Sequence, residues 1–411
     1  MPNKAAKRFD LATQVRICAL CPNMCRFLCP VATVEKAETI TPRGKATLTL
    51  AAESGDIPFT AGTAAVFYRC AQCKICREWC PSGVDLPEAT ASLRRRAARE
   101  GVSPKAVRTL AARLVGERSF YRPAAELAET DRYRSLLDKR AKVLYFAGCA
   151  TAALHPEIIE ATLRLFEAGG VKVDMLRPEE CCGLPLDVLG YVDEASEFAG
   201  GLAQAVAGGG YETIVTGCPM CAQVMKEGYP ALGVTLGVEV KHVTEFLDGL
   251  GQEAGLVGLR GRRVPAGPGP GREGASLAGR RPPTDLAVTY HDPCYLGRYQ
   301  GVYEAPRRLL AEVAGLEVVE MERGRELAAC CGGAPAIDAT VPATATAMAS
   351  RRVAQAGRTG AGTLVTACPR CLEMLRAAAE ASVGAGSGDR GLFVRDITEV
   401  LAERLGVWRE R

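Results

Sequence analysis

The stretch Thr213-Ile214-Val215-Thr216-Gly217-Cys218-Pro219-Met220-Cys221 decides the fold, because the chain repeats it as Thr363-Leu364-Val365-Thr366-Ala367-Cys368-Pro369-Arg370-Cys371. Each copy is a β-rich run that ends in Cys-Pro-x-Cys. Upstream of it, a strand-like run delivers a cysteine, a helical pattern follows, and then comes Cys181-Cys182-Gly183 or Cys330-Cys331-Gly332. Alternating strands and helices predict two duplicated α/β units, each with a short parallel sheet.

The elements around these motifs follow the same order in both copies. We predict strands just before Cys149 and Cys294, and a helix over the apolar stretch that comes next in each copy. Each copy closes on a similar helix start, Val-Thr-Glu-Phe-Leu or Ile-Thr-Glu-Val-Leu. Thr244 and Thr398 are the expected N-caps of these helices.

The chain divides into four predicted segments. Residues 1–140 form a mostly α-helical domain, with helix formers concentrated at 45–53, 87–99 and 104–115. Residues 141–250 and 285–411 are the two α/β units, and residues 251–284, rich in Gly, Pro and Arg, form a flexible linker. The fold class is therefore α+β multidomain. The run Arg94-Arg95-Arg96 is expected to be a solvated helix face.

Cysteine is the unusual feature of the composition. The chain has 411 residues and 18 cysteines, all in four spaced groups, but no apolar segment of the kind that directs secretion. We therefore expect a cytoplasmic protein, peripheral to the membrane only through a partner, in which disulfides are a poor explanation. The 51 Lys and Arg nearly balance the 47 Asp and Glu, which argues against nucleic-acid binding. No run is long enough to span a membrane.

Two cysteine groups have the spacing of bacterial ferredoxins. Cys70-x2-Cys73-x2-Cys76-x3-Cys80-Pro81 matches that run, and Cys18-x2-Cys21-x3-Cys25-x3-Cys29-Pro30 has one extra residue. In two-cluster ferredoxins the fourth cysteine of each run binds the other cluster. One [4Fe–4S] cubane is thus predicted at Cys18, Cys21, Cys25 and Cys80, and another at Cys70, Cys73, Cys76 and Cys29. Structural zinc, which also takes four cysteines, is the less favoured alternative.

These two motifs resemble the helical two-cluster modules of succinate dehydrogenase, glycerol-3-phosphate dehydrogenase and heterodisulfide reductase subunits. Thr41-Pro42-Arg43-Gly44-Lys45, between the motifs, is similar to a Pro-Arg-Gly stretch of that group. The resemblance implies that the N-terminal domain is helical.

Each α/β unit carries five cysteines, one more than a cubane has irons to bind. They are Cys149, Cys181, Cys182, Cys218 and Cys221 in the first unit, and Cys294, Cys330, Cys331, Cys368 and Cys371 in the second. The excess suggests an unusual cluster with bridging sulfurs. A vicinal disulfide or a thiol redox pair would explain part of one unit, but not the repetition of all five cysteines.

This arrangement resembles the Cys-Cys-Gly domain family, which includes the B-type and D-type subunits of heterodisulfide reductase and the iron–sulfur subunits of glycolate oxidase and glycerol-3-phosphate dehydrogenase. The resemblance covers the chain outside the linker, in the order of the D-type polypeptide. It implies one or two noncubane [4Fe–4S] clusters on the ten cysteines, which would then be catalytic. Relatives often have more glycine where this chain reads Ala334-Pro335-Ala336, so the substrate-facing wall is expected to differ.

Two functions follow from this interpretation. The first is an electron-transfer subunit of an oxidoreductase complex, which receives electrons from a flavin dehydrogenase or electron-transfer flavoprotein subunit and works with or without a membrane cytochrome b. The second is a catalytic disulfide reductase, and a zinc scaffold ranks last. His291 and Asp292, just before Cys294, are expected to be structural or to relay protons. His155 and His242 belong to no motif.

Overall fold

The N-terminal domain is helical, as predicted. The computed structural model describes residues 9–121, 130–252, 286–384 and 392–408. The first of these ranges folds into helices and connecting loops, and the predicted stretches lie in α3, α6 and α7. The helices are α1 (Leu11–Leu20), α2 (Pro30–Glu35), α3 (Pro42–Ser54), α4 (Ala61–Tyr68), α5 (Ile75–Trp79), α6 (Leu86–Arg99) and α7 (Lys105–Glu117).

The first α/β unit has a parallel sheet in the order β2-β1-β3-β4, made of β1 (Val143–Phe146), β2 (Val173–Asp174), β3 (Thr213–Thr216) and β4 (Glu239–His242). Its helices are α8 (Cys149–Leu154), α9 (Pro156–Ala168), α10 (Leu184–Leu189), α11 (Val192–Gly209), α12 (Pro219–Gln223), α13 (Tyr229–Ala231) and α14 (Val243–Gln252). A π-helical turn over Val224–Gly228 joins α12 to α13.

The second unit repeats this topology, which confirms the predicted duplication. Its strands β5 (Ala287–His291), β6 (Glu317–Val318), β7 (Thr363–Thr366) and β8 (Phe393–Asp396) form a parallel sheet in the order β6-β5-β7-β8. Its helices are α15 (Glu304–Arg308), α16 (Pro335–Thr340), α17 (Pro342–Gly357), α18 (Pro369–Gly384) and α19 (Ile397–Arg404). A π-helical turn over Leu309–Val313 extends α15.

The two units share one hydrophobic core. Tyr145 and Phe166 of the first unit belong to the same buried cluster as Tyr290 and Leu401 of the second. Helix α9 packs against α19, and α14 packs against α15. Because α9 and α15 hold corresponding places, as do α14 and α19, the contact is reciprocal. The duplicated units are therefore related by a pseudo-twofold axis through this core.

Arg94 fastens the helical domain to the first unit. Its side chain is fully buried and donates hydrogen bonds to the carbonyl oxygens of Phe67, Cys70 and Val188. The α10 terminus approaches so closely that a Cβ on Gly190 would lie 2.4 Å from the Arg94 carbonyl oxygen. The expected solvated face is thus wrong for Arg94, because backbone acceptors surround its guanidinium. Its neighbour Arg95 is partly exposed.

Three smaller points concern the helix ends, the linker and membrane-spanning helices. Asp396, not Thr398, is the N-cap of α19, and its carboxylate accepts a hydrogen bond from the Thr398 amide at 2.8 Å. Thr244 lies inside α14. The predicted linker lies outside the described residues, apart from residues 251–252 at the end of α14. No helix in the described ranges is both long and apolar enough to cross a membrane.

Candidate metal centres

The cysteines of the helical domain meet in two groups. We name Cys18, Cys21, Cys25 and Cys80 the outer four-cysteine group. Cys18 lies in α1, Cys21 ends that helix, and Cys80 ends α5. Burial raises the pKa of the Cys18 thiol to about 12, and the nearby thiols of Cys25, Cys80 and Cys21 raise it further. Thiols that influence one another in this way lie close enough to share a metal centre.

Cys29, Cys70, Cys73 and Cys76 form the inner four-cysteine group, and all of them line one cavity of about 390 Å³. Cys29 comes from the first motif and the other three come from the second. Positive φ angles at Gln72 and Lys74 curl the second motif around the cavity. Both groups have the composition that the crossing rule of two-cluster ferredoxins predicts.

Lys45 is a buried cation in the wall of the inner cavity that sequence reasoning missed. Its ammonium donates to the Ile40 carbonyl oxygen, and burial lowers its pKa against the attraction of the Cys29, Cys70 and Cys76 thiols. Thr41 caps α3, and a Cβ on Gly44 would lie 2.1 Å from the Glu38 carbonyl oxygen. The Thr-Pro-Arg-Gly-Lys signal therefore sets the helix start that carries this lysine.

The five cysteines of the first unit, the first five-cysteine group, line one cavity of about 390 Å³. Strands β1 and β3 deliver Cys149 and Cys218 from their carboxyl ends, where open parallel sheets hold ligands. The Sγ atoms of Cys149 and Cys181 lie 3.7 Å apart. Pro335, from the stretch that departs from relatives, lines this cavity.

The second five-cysteine group likewise lines one cavity, of about 330 Å³. The Sγ atoms of Cys331 and Cys371 lie 3.2 Å apart. A nitrogen of the buried His291 ring lies within 4.8 Å of both sulfurs. Asp292 is instead held by an ion pair with Arg307 at 2.7 Å.

The other two histidines lie away from the cysteine cavities in the described ranges. His242 Nδ1 lies 2.8 Å from the Thr244 hydroxyl, and its Nε2 lies 3.1 Å from the Gly217 carbonyl oxygen. Burial lowers the pKa of His242 to about 4. The buried His155 lies between Glu157 and Glu373, 3.4 Å and 3.5 Å away. These surroundings indicate structural histidines.

The four groups adjoin one another in a line. The Cys25 thiol raises the pKa of Cys76, so the outer group neighbours the inner one. A hydrogen bond between the thiols of Cys73 and Cys330 joins the inner group to the second five-cysteine group and lowers the pKa of Cys73 to about 6. Met220 and Arg370 line both five-cysteine cavities. The order is therefore outer, inner, second, first.

Residues of the second unit hold the loop of the inner group in place. The Tyr299 hydroxyl donates to the Gln72 carbonyl oxygen at 2.6 Å. The buried Arg298 donates to the carbonyl oxygens of Cys73 and Ala328. These contacts fix the inner group against the second five-cysteine group.

The chemistry of the donors fits anionic iron–sulfur clusters. All 18 cysteines are free thiols, and many carry raised pKa values because they are buried and crowded, so metal binding would have to displace their protons. Buried donors on His291, Arg298 and Arg352 have no hydrogen-bond partner among the described residues. Because unpaired buried donors are costly, an anionic group beside them would be stabilised.

Comparison with known families agrees with this chemistry. The 4Fe-4S dicluster domain matches residues 14–84, and the Cysteine-rich domain (CCG) matches residues 143–226 and 288–376. The fold and its cysteine groups thus define an iron–sulfur electron-transfer protein of the oxidoreductase class.

Individual relatives identify the family. The D-type subunit of dihydromethanophenazine:CoB–CoM heterodisulfide reductase from Methanosarcina barkeri is 31% identical over 82% of this chain and 78% of its own length. The B-type subunit of fumarate reductase (CoM/CoB) from Methanothermobacter marburgensis is 28% identical over 74% of this chain and 55% of its own length. An EtfAB:quinone oxidoreductase from Syntrophomonas wolfei is 31% identical over 47% of this chain and 24% of its own length. The chain belongs to the family of heterodisulfide reductase D-type subunits.

Proposed function

We propose that this chain relays electrons along the line of its cysteine groups, from outer to inner to second to first, within an oxidoreductase complex. The observation that carries the proposal is the contact between the Cys73 and Cys330 thiols, which joins the helical domain to a five-cysteine cavity. Four-iron clusters, when bound, pass electrons singly. The four-cysteine groups would each hold a cubane, and the five-cysteine groups noncubane clusters.

The side chains around the relay stabilise negative charge and exclude water. Lys45 and Arg298 are buried cations beside the inner group. Neither has room to reorganise, since Lys45 is tied to a carbonyl oxygen and Arg298 to several. Fixed positive charges of this kind favour the more negative, reduced state of a nearby centre.

Exposed apolar side chains mark where an electron donor would dock. Leu20, Met24, Phe27 and Trp79 are exposed to solvent close in sequence to the outer-group cysteines. The Phe27 and Trp79 rings contact each other edge to face, with centroids 6.0 Å apart. Exposed apolar patches are typical of protein interfaces. We infer a flavin dehydrogenase or electron-transfer flavoprotein subunit at this surface, with a membrane cytochrome b as a further partner.

Catalytic disulfide reduction is the second candidate. The shared walls at Met220 and Arg370 favour it, because one ligand between the cavities could contact both five-cysteine groups. Each group would receive one sulfur of the disulfide. Two electrons from the relay and two protons would then release two thiols. The relatives named heterodisulfide reductase support this chemistry.

Iron and acid-labile sulfide per chain, measured on anaerobically purified and reconstituted protein, test the proposal. Four filled sites predict about sixteen irons. A value near eight, also by the four-iron stoichiometry, would leave both five-cysteine groups empty and refute the relay beyond the inner group. Zinc in place of iron would refute it entirely. For the second candidate, two thiols should form for every two electrons that a reduced dye supplies.

A further inference from the structure

The two five-cysteine sites differ at one pair of positions. Phe146 and His291 occupy the same register, since Phe146 is paired with Thr216 and His291 with Thr366. Leu202 and Arg352 also correspond, each lying ten residues after the first residue of its helix, α11 or α17. All four side chains are buried. An apolar pair beside the first site is therefore replaced by a histidine and an arginine beside the second.

Arg352 determines the tautomer of His291. Its Nε lies 3.0 Å from His291 Nδ1, and its Nη1 donates to the Arg323 carbonyl oxygen and to Gln355 Oε1, each at 2.8 Å. A guanidinium has donors only, so Nδ1 must be the acceptor. A neutral imidazole whose Nδ1 accepts carries its hydrogen on Nε2.

That Nε2–H group is directed toward the cysteine cavity. Within the described part of the chain Nε2 is buried and has no hydrogen-bond partner. A ring nitrogen of His291 lies within 4.8 Å of the sulfurs of Cys331 and Cys371, and Cys331 interacts with the ring. The same geometry excludes His291 as an iron ligand, because its single lone pair is already used by Arg352.

We propose that His291 donates its Nε2–H to the Cys331 sulfur and thereby makes the second five-cysteine site easier to reduce than the first. The inference rests on the proposed function, since it requires clusters at both sites. A hydrogen bond to a ligating sulfur stabilises the more negative state and raises the reduction potential. Phe146 and Leu202 offer the first site no such donor. The first electron to arrive therefore rests at the second site until another follows.

An EPR-monitored redox titration of the reconstituted full-length chain tests this. His291→Phe copies Phe146, and Arg352→Leu copies Leu202. At a fixed potential, either change should lower the reduced-to-oxidised ratio of one five-cysteine cluster about tenfold, the usual value of a hydrogen bond to a charged group. Tenfold is about 59 mV for one electron. The other clusters should not shift, and Phe146→Leu is the control that leaves the second site unchanged.

Unchanged ratios in both variants, or equal shifts of both five-cysteine clusters, would overturn the proposal. If the variants fail to bind the second cluster, pulsed EPR on wild-type protein labelled with ¹⁵N-histidine decides. A weak nitrogen coupling supports the hydrogen bond. No coupling, or the strong coupling of a directly bound nitrogen, refutes it. Iron near eight in the wild type, the content of two four-iron clusters, would instead refute the proposed function and remove the basis of this inference.

Discussion

Replacing Arg94 by methionine tests how the helical domain is fastened to the first α/β unit. Methionine is close in length but donates no hydrogen bond, so the carbonyl oxygens of Phe67, Cys70 and Val188 would lose their partner. Each unsatisfied buried acceptor costs about 1–3 kcal/mol. The sum is roughly 3–9 kcal/mol, a large part of the ~5–15 kcal/mol that stabilises a typical domain.

The assay is urea unfolding of the cluster-loaded protein, followed by visible absorbance and circular dichroism. Since Arg94 holds the Cys70 carbonyl oxygen, the cluster of the inner group should be lost first. Arg95→Met is the matched control. Arg95 is partly exposed and forms ion pairs with Glu88 at 3.2 Å and Asp187 at 3.7 Å, so its loss should cost about 0–1 kcal/mol. Equal urea midpoints for the two variants would refute the reasoning.

Three further predictions concern ligand sets, space and pH. Cys29→Ala should abolish the same EPR signal as Cys73→Ala, because both thiols line the inner cavity, and loss of different signals would contradict the crossed ligand set. Gly148→Ala should empty the first five-cysteine site and lower the iron content, since its φ is +81° and a Cβ would lie 3.3 Å from the Cys221 sulfur. Gly200→Ala, with open space around it, is the control and should keep full iron. Burial raises the pKa of Glu399 from 4.5 to about 7, so its contribution to the free energy of unfolding is full below pH 4.5 and is lost as the pH rises to about 7. The free energy of unfolding in urea should therefore fall less across that range in Glu399→Gln, by up to about 3 kcal/mol, and an unchanged slope would contradict the burial argument.

Local patterns were sufficient to predict the sheets and the pairing of motifs. The runs before Cys218 and Cys368 are short, β-rich and bounded by turn residues, and both are strands in the structure. The cap of α19 was missed by two positions, because Asp396 and Thr398 are both good capping residues and only the end of β8 decides between them. Sequence periodicity fixes an element more reliably than its ends.

The buried cations could not be predicted from local sequence. Lysine and arginine are usually solvated, and a run of three arginines gives no reason to expect otherwise. Arg94 is buried because acceptors come to it from elsewhere, including Val188, 94 residues away. Arg352 meets His291 across a separation of 61 residues. Such partners become visible only when the two halves of the chain are folded together.

The reciprocal packing of α9 on α19 and of α14 on α15 is the contact that two identical subunits would make across a dimer axis. In a true homodimer, every substitution is present twice. Here one chain encodes both halves, so His291 can stand opposite Phe146 while the shared core stays symmetric. Joining the halves in one polypeptide thus keeps the architecture of a symmetric pair and lets each half acquire its own chemistry, one residue at a time.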